Sequence, residues 1–137
     1  MSELALDKMY ESTTYRVQSP DGTMFVIIAD DESGKPIHIQ INIGKSGAAV
    51  GAWSHGLARL MTIMLTNGFG INDLIRELSE TTTSKLVTTS DGMIPIRSGI
   101  DAVCVALMMY RKDKFRGLLE TLNGGEPEEE YRGPTLG

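Results

Sequence analysis

The sequence predicts one α+β domain, a small antiparallel β-sheet packed against two main helices. Three observations carry this expectation. β-rich runs broken by strong turn chemistry extend to residue 43, helical spacing replaces them from residue 49, and 137 residues suit one core rather than two. Apolar residues form 41% of the chain and aromatic ones only 6%, so the core is expected to be aliphatic.

Residues 1–12 are an N-terminal segment in which Leu4 and Met9 stand among polar neighbours, a weak amphipathic pattern for one or two helical turns. The domain proper is expected over 13–122. Ser19-Pro20-Asp21-Gly22 and Glu32-Ser33-Gly34-Lys35-Pro36 are turn sequences, and they divide the next stretch into antiparallel strands at 13–18, 23–29 and 37–43. In the third strand Ile37, Ile39, Ile41 and Ile43 alternate with His38, Gln40 and Asn42, so one face is expected to be buried and the other polar. His38 then has a solvated, hydrogen-bonding place, with a ligand contact as the alternative.

From 49 to 66, Trp53, Leu57, Leu60, Met61 and Met64 form one helical stripe, opposite the small or weakly polar Gly51, His55, Ala58 and Thr62. Asn67-Gly68 stops that helix, and INDLIRELSE starts a second with Asn72 as its N-cap. Residues 81–96, with an Asp91-Gly92 turn and Pro95, read as a long connector holding one short strand. A helix follows from about 99 to 112, which DKFRGLLETL extends or supplements with a short one. The Gly-, Pro- and Glu-rich residues 123–137 are expected to be a mobile acidic tail.

Ser98 and Asp101 fit a capping box with Asp in place of Glu, and the carboxylate suits the positive end of a helix. That is enough to explain Asp101; a ligand or subunit contact is the alternative. Beyond it, Ala102 to Met109 are apolar around the whole helix, which demands burial on every side. In so small a domain the uncovered side would be hidden by a second subunit, so a homo-oligomer is expected.

A net charge of -5 without a basic run disfavours DNA as a partner. A single cysteine, Cys104, closes no internal disulfide and builds no zinc site, and its apolar surroundings make it a small core residue. No N-terminal apolar run has the length of a signal or membrane segment. A cytoplasmic protein with no membrane partner, metal or cofactor is the expectation.

Two helix mouths are the candidate binding features. In NIGKSGAAVGAWSHG a strand meets a helix through a Gly-rich turn, where Lys45, Ser46 and Gly47 and the backbone amides suit a phosphate or carboxylate. The spacing is not that of a P-loop, and a tight structural connection is the alternative. Arg97 and Ser98 stand at the other mouth, while Trp53, His55 and Arg59 are candidates to touch a base or sugar. No catalytic constellation is legible around the two histidines, so no catalytic residue is assigned.

Taken together, DESGKPIHIQINIGKSG, WSHGLARLMTIMLTNGFGINDLIREL and IRSGIDAVCVALMMY resemble the TSCPD domain, over about residues 22–116. That domain occurs alone and near the C-terminus of adenosylcobalamin-dependent ribonucleotide reductases. Where its name-giving motif has Ser-Cys-Pro-Asp, this chain has Ser98-Gly99-Ile100-Asp101. Serine and aspartate, the capping pair, remain; the thiol chemistry of the cysteine does not carry over. The reductase's barrel and active-site cysteines are absent from these residues, so the resemblance implies a fold rather than that activity.

The expected function is non-catalytic binding of a nucleotide-like, phosphorylated small molecule by an oligomer, as a sensor or as a sponge for a nucleotide signal. The rival expectation is an accessory or assembly module for ribonucleotide reductase or another nucleotide-metabolism enzyme, and a small hydrolase is the third.

Overall fold

A computed structural model describes residues 8–44, 48–79, 87–90, 92 and 94–124. It is an α+β domain. Strands β1 (Glu11–Ser19), β2 (Gly22–Asp30) and β3 (Pro36–Ile43) form one antiparallel sheet in the order β1-β2-β3. Helices α1 (Ala48–Thr66) and α2 (Ile71–Leu78) follow, then a hairpin of β4 (Val87–Thr88) and β5 (Pro95–Ile96), and last α3 (Gly99–Gly124).

The strand register explains the two faces. Tyr15 pairs with Val26 and Val17 with Met24, while Val26 pairs with Ile41 and Ile28 with Ile39, so all seven lie on one face, and all are buried. The other face presents Arg16, Gln40 and Asn42 beside the half-buried Phe25, Ile27 and His38, as the alternation in β3 requires. A bulge between Ala29 and Asp30 brings Asp30 opposite Pro36 and drops Ile37 from the alternation, so Ile37 is only half-buried.

Helix α1 lies against β3, the edge strand, with Ser54, Ala58, Met61 and Leu65 buried. This shifts the expected stripe: Leu60 is exposed, and Ala58 and Thr62, expected on the opposite side, face the sheet. The reason is the edge itself. The Ile39 N–H donates to Thr62 Oγ1 at 3.0 Å, and the hydroxyl donates to the Ala58 carbonyl at 2.9 Å, which covers an edge group only because the helix comes close. Small residues permit that approach.

Helix α3 crosses the buried face of β1 and β2 and packs against α2. It is one continuous helix well past residue 112. Ala102 to Leu107 are all buried within this one chain, so the sheet, α2 and β5 supply the cover that the sequence reading assigned partly to a second subunit. Two tyrosine–aspartate hydrogen bonds tie α3 to the sheet: Tyr15 of β1 donates to Asp113 at 2.9 Å, and Tyr110 of α3 donates to the buried Asp30 of β2 at 2.5 Å. Burial pushes both phenols well above their ordinary value, and the carboxylates add to the shift, so both remain donors.

Other boundaries differ in detail. The first strand begins at Glu11, inside the segment read as a helical turn. The connector holds two short strands rather than one, closed by Gly92 at φ 76°. The cap of α2 is Gly70, not Asn72: Asp73 accepts the Gly70 N–H at 2.8 Å, and that bond foremost, then Arg76, lowers the Asp73 carboxyl below its usual range.

Candidate functional site

The two helix mouths lie at the same end of the domain. The Ser19–Gly22 turn, the end of β3 and the first turns of α1 and α3 meet there, as the Gly44 N–H bond to the Thr23 carbonyl (3.1 Å) and the approach of Trp53 to Gly99 show. The α3 mouth is closed by the chain's own groups. Ser98 is buried and its hydroxyl accepts the Asp101 N–H at 2.9 Å. In return the Asp101 carboxylate accepts the Arg97 N–H at 3.0 Å.

Gly99 is what lets this mouth close. A Cβ placed there would lie 2.7 Å from Trp53 Cζ2 and 2.6 Å from Asp21 Oδ2. The indole therefore covers the first turn, and a carboxylate stands beside it, so a phosphate arriving there would meet a like charge.

The sequence candidates do not all converge. Trp53 and Ser98 come together at this mouth, with Arg97 exposed next to them. His55 and Arg59 are exposed on other sides of α1, because two and six residues beyond Trp53, at about 100° each, do not return to its face. Lys45, Ser46 and Gly47 lie outside the described residues.

A different arrangement appears at the opposite end. A cleft of about 460 Å³ lies between the β2–β3 turn, the α1–α2 corner and α3, lined among others by Lys35, Phe69, Asn72, Tyr110, Arg111 and Lys114. Phe69 is 47% exposed, an aromatic face turned to solvent at a corner held by the Phe69 N–H bond to the Met64 carbonyl (3.1 Å). Asp31 shapes the turn by accepting from the Ser33 hydroxyl (2.7 Å), the Ser33 N–H (2.8 Å) and the Lys35 N–H (3.0 Å), and the hydroxyl foremost lowers its carboxyl. Gly34, at φ 88°, completes the turn.

Charge is distributed unevenly in this cleft. Lys114 is neutralised by Asp30 at 2.7 Å and also donates to the Gly34 carbonyl. Arg111 donates to the neutral Asn72 amide oxygen at 2.8 Å, and neither Arg111 nor Lys35 has an ion pair among the described residues. Asp73, the acid on the rim, is already held by Arg76 at 2.6 Å. Two cations without an ion pair among the described residues thus stand around an exposed ring, in a chain of net charge -5. Chemically, such an arrangement can pair with an anion and stack a flat group. A neighbouring hollow of about 320 Å³ shares Gly34 and Lys114 but is lined by Glu11, Asp30, Asp31 and Glu32, and repels anions.

Sequence reasoning missed Phe69, Tyr110, Arg111 and Lys114 as site residues. The available signal was local: cations concentrated just after the apolar run of α3, facing a Gly-rich corner. Cys104 is the core residue expected, its thiol raised by burial and placed near Ser79 Oγ and the Ile75 carbonyl. Among the described residues no group of three or more His, Cys, Asp or Glu side chains is placed to hold a metal, and no helix is long and apolar enough to cross a membrane.

No curated protein and no solved structure matches the chain. The family model of the TSCPD domain matches residues 6–111, which include the Ser98–Asp101 cap, α1, α2 and most of the cleft. This chain belongs to the TSCPD domain family.

Proposed function

We propose that the protein is a non-catalytic, oligomeric module that binds a nucleotide-like, phosphorylated small molecule, as a sensor or as a sponge for a nucleotide signal. One observation carries this reading: Lys35 and Arg111, neither of which forms an ion pair among the described residues, line one cleft with the exposed Phe69 in an overall acidic chain. Phosphate oxygens pair with the cations and a base stacks on the ring, a combination that orients a ligand without asking any side chain to transfer a proton. The α1 mouth with Lys45, Ser46 and Gly47 is the alternative seat for the phosphate.

Native mass spectrometry with mono-, di- and cyclic nucleotides tests the reading. An intact nucleotide retained by the protein supports a binder, a converted product shows an enzyme instead, and no retained nucleotide counts against both. Lys35→Ala and Arg111→Ala should each weaken binding tenfold or more with the fold intact. Loss through Lys45→Ala or Arg97→Ala, with Lys35→Ala unaffected, would move the site to the helix mouths.

The second reading is a docking module for a nucleotide-metabolism enzyme such as ribonucleotide reductase. The exposed Leu60 and Ile63, neighbours on the outer side of α1, favour it.

A further inference from the structure

The polar groups that line the cleft beside Phe69 are unevenly used. Each side-chain oxygen there already takes part in a hydrogen bond: Asp73 accepts the Gly70 N–H through Oδ2 at 2.8 Å and Arg76 through Oδ1 at 2.6 Å, Asn72 Oδ1 accepts Arg111 at 2.8 Å, and the Tyr110 hydroxyl donates to the buried Asp30. The nitrogens differ. Among the described residues neither Lys35 Nζ nor Asn72 Nδ2 makes a hydrogen bond, and Arg111 uses only Nη1. What these side chains still offer a ligand is donors.

The orientation of Asn72 follows from its neighbour on α3. A guanidinium only donates, so the amide oxygen is the atom that faces Arg111, and the amine is the atom left unbonded. Turning the amide over would set two donors against each other. An asparagine free to use both atoms reads adenine, its oxygen accepting from the base's amine while its nitrogen donates to the ring. With the oxygen held by Arg111, only the donating half remains.

We infer that the base held in this cleft carries a ring carbonyl where adenine and cytosine carry an amine, so that the ligand is a nucleotide of an oxo-purine or of uracil, selected by Asn72. A carbonyl oxygen meets the Asn72 amine as acceptor to donor. An exocyclic amine in the same place sets donor against donor, and no side-chain oxygen lining the cleft stands unbonded to receive it. Lys35 and the remaining Arg111 N–H groups take the phosphate, which is acceptor throughout. The inference rests on the cleft as the binding site and narrows what that site takes: phosphate and flatness admit any nucleotide, whereas the surplus of donors favours one half of them.

Titration calorimetry of the full chain with two matched pairs tests the selection: inosine against adenosine monophosphate, and uridine against cytidine monophosphate. Each pair keeps the sugar and phosphate and changes the edge of the base. The wild type should bind the oxo member of each pair tenfold or more tighter. Asn72 is exposed, so Asn72→Ala should leave circular dichroism unchanged and bring both ratios close to one. Equal affinity within the pairs, with binding still lost in Lys35→Ala and Arg111→Ala, would overturn the inference and leave the cleft as the site. Ratios that survive Asn72→Ala would overturn it too, since another group would then be reading the base. Binding of none of the four, or binding indifferent to Lys35→Ala and Arg111→Ala, would remove the cleft itself and the inference with it.

Discussion

The indole of Trp53 lies against the bare backbone of Gly99, so the first helix is keyed onto the start of the last one. Gly99→Val puts a branched side chain into space held by Trp53 and Asp21, and should lower stability by about 1–3 kcal/mol in urea denaturation. In a Trp53→Ala background the same substitution should cost distinctly less, because the ring's part of the clash is gone and only Asp21 remains; an equal cost in both backgrounds would show that the ring is not what excludes a side chain.

Thr62 covers the Ile39 amide at the sheet edge. Thr62→Val keeps the shape and removes the acceptor, and should destabilise the fold by about 1–3 kcal/mol. Hydrogen exchange at Ile39 should accelerate more than at Ile41. Unchanged exchange at Ile39 would mean the hydroxyl contributes nothing there.

Ser98→Ala removes the acceptor for the Asp101 N–H. A loss of about 0.5–2 kcal/mol is expected from this cap, measured by thermal or chemical unfolding.

Asp31 and Asp73 both have carboxyls lowered from 3.8 in the folded chain by backbone and side-chain donors. The stability they add is present above 3.8 and is lost as pH falls through their lower folded values. Asp73→Asn should therefore flatten the acid limb of the melting-temperature profile below pH 3.8, and a profile parallel to wild type would remove Asp73 from the explanation.

Burial raises the Cys104 thiol above 9.0. At pH 8 the folded protein should react with a thiol reagent at least tenfold more slowly than the urea-unfolded chain. Equal rates would show that the α2–α3 contact opens readily.

The sheet was legible because Ile39 to Asn42 of β3 alternate buried and exposed as the sequence alternates, and both turns are written in Ser, Pro, Asp and Gly. The α3 start was legible for a similar reason: Ser98 and Asp101 act within one turn of each other. Helix α1 was misread at Leu60 and Thr62 because hydrophobicity alone cannot register a close approach to a strand edge, where a small residue and a hydroxyl serve better than leucine. The cleft was hidden by distance in sequence. Its walls come from a β-turn, a helix corner and the middle of α3, and no local pattern in any of them points to the other two. Trp53 looked available for a ligand because nothing in a linear sequence reveals that Gly99 has made room for it.

The two tyrosine–aspartate bonds between α3 and the sheet are reversed in sense: on β1 the strand supplies the phenol, on β2 the carboxylate. Hydrophobic contact between a helix and a sheet tolerates sliding, whereas a step of one residue along the helix moves its groups by about 1.5 Å and breaks both bonds together. The pair acts as a ruler. It fixes how far the helix travels before it leaves the sheet, and so sets where the exposed turns beyond Lys114 begin.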